Sequence, residues 1–365
     1  MKTLRILTVV GARPQFIKAA AVSRAIAVQN AADPPARIDE RIAHTGQHYD
    51  ANMSQVFFDE LSIPAPAHHL GVSGGRHGEQ TAAMIARLEP VLIEEKPDLV
   101  LLYGDTNSTL AGAIAASKLC IRIAHVEAGL RSFNRRMPEE INRVVTDVLA
   151  TDLFCPTAAA VRNLHNEGVT RGVHQVGDVM YDSVLFHAAA AERKSRILDR
   201  LALTPRTFDL ATVHRAENTD DPARLTAVFA ALARLDRPVI VPLHPRTRHA
   251  LAAAGWTASR HVRIIEPLAY FDMLMLQRAA RVILTDSGGV QKEAFFLGVP
   301  CVTLRDETEW VELVEIGANH LAGADPQRIL DSVARAADTQ ISAKSAGLYG
   351  DGRSACRIAA ILAQR

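Results

Sequence analysis

The chain has 365 residues, more than twice the ~150 of a typical domain, so we expect two domains of ordinary size. Its 41 Lys and Arg residues nearly balance its 40 Asp and Glu residues, and a formal net charge of +1 excludes binding to nucleic acid or to an anionic membrane through a bulk positive field. With 48% hydrophobic and 22% charged residues, the composition is that of a soluble globular protein and excludes whole-chain disorder or a collagen-like repeat.

The N-terminal apolar run, Ile6 to Val10, is too short for a signal peptide and continues into Arg and Pro, so it reads as a first buried strand. No run approaches the ~20 apolar residues that span a bilayer. The cysteines are far apart and lack the spacing of a zinc site. We therefore expect a reduced, cytoplasmic protein without a disulfide or a structural metal.

Short β-branched runs alternate with Ala- and Leu-rich stretches of helical periodicity, which predicts parallel sheets with crossover helices. The first series of predicted strands is Leu4–Val10, Ile38–Ala43, Leu99–Tyr103, Ile121–Val126 and Leu153–Cys155. The second series is Phe208–Thr212, Val239–Pro242, Val262–Ile265, Val282–Leu284 and Pro300–Thr303.

These two series predict two similar α/β domains joined near Gly168 to Asp178. We assign residues 1–170 to an N-terminal domain and residues 171–350 to a C-terminal domain. A final helix, within residues 353–365, is expected to cross back onto the first domain. Ligands of open α/β sheets bind beyond the carboxyl ends of the strands, so the residues that follow each strand are the candidate site.

In the first half these residues are cations and acids. Arg13 and Lys18 follow the first strand near the positive start of a helix, and Asp105 follows the third. Glu127 follows the fourth strand. Glu139 and Arg143 lie one turn apart on the next predicted helix, where they could instead pair with each other.

In the second half His214 and His244 each stand at the end of a predicted strand, as His125 does in the first half. Ser287, Gly288 and Gly289 begin a predicted helix, whose backbone N–H groups can approach phosphate oxygens. Glu293, one turn later, is placed to accept ribose hydroxyls. Each feature has a structural alternative. A Ser-Gly start can serve only to cap a helix, a single His can be a structural group with satisfied hydrogen bonds, and an acid can cap a helix or form a salt bridge. Together they predict a nucleotide-linked substrate that engages both halves.

Several longer motifs extend this pattern over nearly the whole chain: GARPQFIKAA, YGDTNSTLAG, AHVEAGLR, MPEEINR, VHRAEN, LHPRT, LTDSGGVQKEA and YGDG. In these the chain resembles the non-hydrolysing UDP-N-acetylglucosamine 2-epimerases. The resemblance implies a GT-B-like architecture of two Rossmann-like domains whose parallel sheets face each other across a cleft. It also implies a homodimer, no metal and no cofactor, with UDP held mainly by the C-terminal domain.

By the same resemblance, the catalytic residues correspond to Asp105, Glu127, Glu139 and His214. The contacts to substrate or UDP correspond to Arg13, Lys18, Arg143, His244, Ser287, Gly288, Gly289 and Glu293. The implied reaction expels UDP to form a 2-acetamidoglycal and then returns UDP to C1 after C2 has been reprotonated on its other face. The product would feed bacterial surface polysaccharide synthesis.

This sequence departs from the family pattern at a few positions. Trp310 replaces an Arg near the substrate, and Met273 replaces an aromatic residue near the nucleotide. The segment Thr45–Asp50 differs from the usual regulatory UDP-sugar site, which puts allosteric activation in doubt. These departures resemble the subgroup that acts on UDP-2,3-diacetamido-2,3-dideoxy-glucuronic acid. The C6 carboxylate of that sugar could meet cations among Arg131, Arg135, Arg136 and Arg143.

The alternatives are therefore of several classes. Within the family, the substrate is UDP-N-acetylglucosamine, converted to UDP-N-acetylmannosamine, or the diacetamido uronic acid. A hydrolysing epimerase would release free N-acetylmannosamine. A GT-B glycosyltransferase would need an acceptor, and a UDP-sugar sensor would form no product.

Overall fold

The computed structural model describes residues 2–32, 36–47, 58, 60–257, 259–339, 341 and 347–364. The chain divides into two compact units: unit 1 comprises Met1–Leu185 with Ala346–Arg365, and unit 2 comprises Phe186–Ser345. This division falls inside a helix, Val179–Lys194, whereas the boundary expected from the sequence at residues 170 and 171 precedes that helix.

The described part of unit 1 contains a parallel sheet of seven strands. These are β1 (Lys2–Val10), β2 (Ala36–His44), β3 (His68–His69), β4 (Leu99–Tyr103), β5 (Arg122–Val126), β6 (Asp152–Cys155) and β7 (Val173–Gln175). Its helices are α1 (Arg13–Ala31), α2 (His77–Glu95), α3 (Asn107–Lys118), α4 (Pro138–Leu149), α5 (Ala158–Asn166) and the first part of α6 (Val179–Lys194), with α15 (Ser354–Ala363) from the end of the chain. The strand order is β3-β2-β1-β4-β5-β6-β7.

Unit 2 has a second parallel sheet, with the order β10-β9-β8-β11-β12-β13. Its strands are β8 (Asp209–Thr212), β9 (Val239–Pro242), β10 (Val262–Ile265), β11 (Ile283–Thr285), β12 (Cys301–Thr303) and β13 (Asn319–Leu321). The helices are α7 (Ile197–Leu201), α8 (Ala216–Thr219), α9 (Pro222–Leu232), α10 (Pro245–Ala253), α11 (Tyr270–Ala279), α12 (Gly288–Phe296), α13 (Val311–Glu315) and α14 (Pro326–Ala337).

Buried apolar strands explain both sheets. All five residues of β4 are buried, because a central parallel strand is covered by helices on both faces. On one face, Val100 and Leu102 pack with Met84 and Leu88 of α2 in an apolar core cluster of unit 1. Among the described residues, none of the helices combines the length and apolar character that crossing a bilayer requires.

The strand order places a switch point in each sheet. In unit 1, β1 lies beside β4, and in unit 2, β8 lies beside β11. The connections that follow two such strands leave in opposite directions, so a crevice opens at their carboxyl ends. The segments after these four strands contain Arg13, Asp105, His214 and Ser287.

Candidate active site

In unit 1 a buried cation and a buried acid meet beside the turn that follows β4. Lys18 of α1 forms an ion pair with Glu127, and each side chain is only 7% exposed. Gly104 has a left-handed φ of 63°. A Cβ there would lie 2.9 Å from Lys18 Nζ and 3.1 Å from Glu127 Oε2, so glycine is required both for the turn and for the ion pair.

Glu127 itself has an unusual backbone. Its φ is 75°, a conformation that residues with a side chain rarely adopt. The N–H groups of Glu127 and Ala128 both donate to the carbonyl of Phe154, at 3.0 and 3.1 Å. Strain of this kind persists where surrounding contacts enforce it, and it occurs often at functional sites.

Asp105 is held by a buried arginine. Arg143 Nη2 donates to Asp105 Oδ2 at 2.5 Å, and Nη1 donates to Glu140 Oε2 at 2.7 Å. The Arg143 side chain is 1% exposed, whereas that of Asp105 is 27% exposed. The sequence pattern indicated Glu139 as a neighbour of Arg143 and missed Glu140, because the choice between adjacent acids depends on tertiary packing. Glu139 lies half-buried in the first turn of α4.

Helix α4 presents its polar face to the protein interior. Its buried residues are Glu140, Asn142, Arg143, Thr146 and Asp147. One of them, Asn142, donates from its side-chain amide to the backbone carbonyl of Asp105 at 2.9 Å. The fully buried side chains of this helix are thus all polar and need hydrogen-bond partners inside unit 1, while the half-buried Leu149 packs against the apolar core.

Four arginines follow β5: Arg131, Arg135, Arg136 and Arg143. These rim arginines differ in their exposure and in their partners. Arg131 donates to Asp147 and Glu167 and its side chain is 1% exposed, so it is engaged inside unit 1 in the same way as Arg143. Arg135 and Arg136 are exposed. Of the four arginines considered for a substrate carboxylate, Arg131 and Arg143 are thus engaged with carboxylates of unit 1.

In unit 2 a buried carboxylate organises the segment after β8. Asp286, which follows β11, accepts the backbone N–H groups of His214 and Arg215 at 3.0 Å and the side-chain amide of Asn218 at 3.1 Å. His214 Nδ1 lies 3.4 Å from Asp286 Oδ1, while the His214 side chain is 41% exposed. Sequence reasoning missed Asp286, although it stands directly before Ser287.

His244 lies near His214, with 6.2 Å between the ring centroids. Its Nδ1 accepts the backbone N–H of Arg246 at 3.2 Å and so caps α10. A ring nitrogen that accepts is unprotonated, which leaves Nε2 as the nitrogen that carries the proton in the neutral ring. The exposed ring can therefore offer a donor.

The first turn of α12 is closely packed. Ser287 caps the helix by accepting the Val290 N–H at 3.4 Å, and Gly289 lies half-buried in this turn. A Cβ on Gly288 would lie 2.4 Å from Glu309 Oε1 and 3.3 Å from Trp310 Nε1, so only glycine fits. Glu293, one turn further, is 5% exposed and accepts from Gln277 Nε2 at 2.7 Å.

Trp310 has a cation against it. Lys292 Nζ lies 4.1 Å from the centroid of the Trp310 ring, within the range of a cation–π interaction. The sequence suggested that Trp310 removes a positive charge from this region, whereas α12 supplies one. Met273, which the sequence placed near the nucleotide, packs against an apolar core cluster of unit 2.

Two further expectations concern a regulatory segment and metals. Thr45 and Gln47 hydrogen-bond to Ser108, and residues 48–50 of the expected regulatory segment lie outside the described residues. Within the described part of the chain, no group of three or more His, Cys, Asp and Glu side chains is arranged to hold a metal ion.

A family model described as UDP-N-acetylglucosamine 2-epimerase matches residues 30–363. The chain belongs to this family. The resemblance read from the motifs is thereby confirmed, and the chain is an isomerase, a UDP-sugar 2-epimerase. Membership favours this class over the glycosyltransferase and sensor alternatives.

Individual relatives of this epimerase cover its whole length. It is 52% identical to the UDP-2,3-diacetamido-2,3-dideoxy-D-glucuronate 2-epimerase of Pseudomonas aeruginosa, over 99% of this chain and 100% of the relative. It is 49% identical to a UDP-N-acetylglucosamine 2-epimerase homolog of Methanococcus maripaludis, over 98% of this chain and 99% of the relative.

The solved structures agree with the fold. A crystal structure of Methanocaldococcus jannaschii UDP-GlcNAc 2-epimerase with UDP-GlcNAc and UDP matches with a TM-score of 0.92 and 41% identity, over 99% of this chain and 100% of that one. The Neisseria meningitidis enzyme bound to UDP-GlcNAc matches with a TM-score of 0.88 and 29% identity, over the same shares. The fold class expected from the resemblance, GT-B-like with two Rossmann-like parallel sheets, is confirmed.

Proposed function

We propose that this epimerase inverts C2 of UDP-2,3-diacetamido-2,3-dideoxy-D-glucuronate. The observation that carries the proposal is the 52% identity, over essentially both whole chains, with the Pseudomonas aeruginosa enzyme of that name. UDP-N-acetylglucosamine is the second candidate, supported by the Methanocaldococcus jannaschii enzyme, which is 41% identical and was solved with that sugar nucleotide.

The chemistry begins with an awkward C–H bond. C2 of an acetamido sugar has no adjacent carbonyl, so its hydrogen is not acidic in the intact substrate. When UDP leaves, C1 becomes oxocarbenium-like and the C2 hydrogen becomes acidic. Loss of that proton gives a 2-acetamidoglycal, and protonation on the opposite face followed by return of UDP to C1 completes the inversion.

The residues of unit 2 suit the UDP part of this reaction. His214 and the first turn of α12 can stabilise the phosphate charge that grows as UDP departs, through an imidazole and backbone N–H groups. The half-buried Arg13 adds a further cation in unit 1. Glu293 is assigned to the ribose, and His244 to a further UDP contact.

The acids of unit 1 suit the proton transfers at C2. Inversion requires a base on one face of the sugar and an acid on the other, so more than one proton-transfer group is needed. Glu127 is paired with Lys18, and Asp105 with Arg143, which gives the two acids different environments. We assign Asp105, Glu127 and Glu139 to the sugar, with Lys18 and Arg143 supporting them.

A C6 carboxylate needs its own cation. Because Arg131 and Arg143 already hold carboxylates of the protein, Arg135 and Arg136 are the rim arginines whose exposure leaves them able to bind this group. A charge-assisted contact contributes ~1.5 to 3 kcal/mol, or roughly a tenfold to hundredfold preference.

Competition between the two sugar nucleotides in one assay tests the substrate assignment. We expect the diacetamido uronate to be converted with the higher kcat/KM, and Arg135→Ala with Arg136→Ala to reduce that preference. Arg171→Ala, which alters an exposed arginine before β7, is the control and should leave the preference unchanged. Equal or better use of UDP-N-acetylglucosamine by the wild type would contradict the uronate assignment.

We also propose that the enzyme is a homodimer, formed through the outer face of α4. Ile141 and Val148 are 42% and 66% exposed, and the half-buried Val144 and Val145 complete an apolar stripe with them. A continuous apolar stripe on an outer helix face is suited to packing against another copy. A cytoplasmic location and a supply of sugars for surface polysaccharides stay predictions.

A further inference from the structure

We propose that His125 is a positioning residue that sets the backbone of Asp105, an inference that rests on the proposed function. His125 is completely buried near the end of β5. Its Nε2 lies 2.7 Å from the backbone carbonyl of Gly104, and its Nδ1 lies 2.7 Å from Asp147 Oδ1.

The partners determine where the protons lie. A carbonyl oxygen can only accept, so His125 Nε2 must donate to Gly104. Asp147 also accepts from the Gly129 N–H at 3.1 Å and from Arg131 Nη1 at 2.7 Å. Although burial opposes ionisation, the contacts with His125 and Arg131 hold the pKa of Asp147 below its ordinary value. The imidazole therefore carries a proton on Nε2, and its Nδ1 shares a short hydrogen bond with the Asp147 carboxyl group.

A buried polar cluster of this kind is a costly way to fill space. Apolar side chains of similar volume often give equal or greater stability. The contact with Gly104 supplies a reason for the histidine. Gly104 has a φ of 63° and, as glycine, leaves the next peptide group free to rotate unless something holds it.

The held peptide group is the one that precedes Asp105. The Gly104 carbonyl and the Asp105 N–H belong to the same planar unit, so the His125 hydrogen bond fixes the plane on one side of the Asp105 Cα. On the other side, Asn142 Nδ2 donates to the Asp105 carbonyl at 2.9 Å. The two side chains together fix both backbone dihedrals of Asp105, and with them the position of its carboxylate.

Two amide substitutions separate the two hydrogen bonds of His125. In His125→Gln the side-chain NH₂ can reach the place of Nε2 and keep the bond to Gly104, while the bond to Asp147 is lost. In His125→Asn the NH₂ takes the place of Nδ1 and keeps the bond to Asp147, while the bond to Gly104 is lost. A role confined to charge pairing or packing predicts that the Asn variant retains more activity.

The positioning role predicts the reverse order. We expect His125→Asn to lower kcat by about tenfold to a hundredfold, the loss typical of a small misplacement, with KM and UDP affinity changed less than about twofold. We expect His125→Gln to retain most of the wild-type kcat. His174→Asn is the matched control, because His174 lies 3.7 Å from Asp152 in the same sheet without contacting the loop after β4.

The readouts are kcat, KM, UDP affinity and the thermal midpoint of each purified full-length variant. Equal losses in both His125 variants, or a more active Asn variant, would overturn the proposal. If neither variant folds, Asn142→Leu takes their place: a lower kcat at unchanged UDP affinity supports the positioning role, and an unchanged kcat overturns it. Failure of the proposed function would appear separately, as a wild-type enzyme that does not epimerise the diacetamido uronate.

Discussion

The roles proposed for Glu127 and Asp105 depend on the backbone that carries them. Glu127 adopts a left-handed conformation that its side chain makes unfavourable, and Asp105 follows a glycine whose carbonyl oxygen accepts a hydrogen bond from His125. Both acids lie at the ends of strands in the sheet of unit 1. Small changes of backbone angle there would displace their carboxylates.

The first prediction concerns the three acids assigned to the sugar. Asp105→Asn, Glu127→Gln and Glu139→Gln should each lower kcat by about a hundredfold or more, as expected for lost proton transfer. UDP affinity should change little, because the residues assigned to UDP belong mainly to unit 2. Steady-state kinetics and calorimetric titration with UDP measure the two effects. Near-normal turnover in all three variants would refute the assignment.

For individual residues, the sequence was informative where a side chain directly follows a strand. Asp105, Glu127 and His214 could be chosen because strand ends in parallel sheets gather at one edge. Lys18 and Arg143, their partners in ion pairs, could be chosen as well, but other supporting residues could not. Glu140, Asn142 and Asp286 are identified by tertiary distances, and the contact of Lys292 with Trp310 requires two segments to meet in space.

Among the elements, α12 depends on a glycine at its start. In Gly288→Ala the new Cβ would lie 2.4 Å from Glu309 Oε1, so the turn or the acid must move, at a cost of ~1 to 3 kcal/mol. We expect UDP affinity to fall by about tenfold or more. Gly78→Ala in α2 is the control, since its Cβ meets nothing within 4 Å. UDP affinities of the two variants give the comparison, and equal affinities would contradict this role of α12.

Helix α4 has two faces with different expected partners. Its polar face contacts Asp105, and its apolar stripe is proposed to contact a second copy. Val148→Glu should therefore convert a dimer into a monomer in sedimentation experiments. Val28→Glu, at a 64% exposed valine of α1, is the matched control and should not. A wild-type enzyme that is monomeric at micromolar concentration would contradict the proposed face.

The strands show where sequence reasoning about elements succeeds. The long buried strands, such as β1 and β4, were predicted within two residues, because continuous apolar runs identify a strand that is covered on both faces. The short edge strands β3, β7 and β13 were missed. Each has only two or three residues, too few for a periodic pattern, and pairing with a neighbour defines them.

For the whole molecule, Glu40 of β2 provides a pH-dependent contribution to stability. Burial raises the pKa of this carboxyl, against a hydrogen bond from Thr8 Oγ1 at 2.6 Å. Above the unfolded pKa of 4.5 the folded state then binds more protons than the unfolded state. The free energy of unfolding therefore falls as pH rises from that value through the folded pKa.

Glu40→Gln removes this titration while keeping an oxygen for Thr8. The thermal midpoint of the variant, relative to that of the wild type, should rise between about pH 5 and about pH 8. Scanning calorimetry at several pH values measures the difference. A difference in thermal midpoint that does not change with pH would show that Glu40 has the same pKa in the folded and unfolded chains.

The class of the molecule followed from its sequence more fully than its substrate did. Two series of strands predicted two α/β units, and residues at strand ends predicted a nucleotide-linked substrate. The resemblance of the longer motifs to a known family then implied a sugar-nucleotide epimerase. The sugar is harder to predict, because it depends on a few side chains such as Arg135 and Arg136. Only the structure shows that these two arginines are exposed and that Arg131 and Arg143 are engaged in ion pairs.

The most direct test of the account is the fate of the C2 hydrogen. The enzyme is incubated in deuterated water with UDP-2,3-diacetamido-2,3-dideoxy-D-glucuronate alone, and the product is examined by nuclear magnetic resonance. Elimination and re-addition predict the C2 epimer with deuterium at C2 and UDP still attached at C1. An epimer that keeps its original hydrogen, or free sugar released together with UDP, would contradict the account.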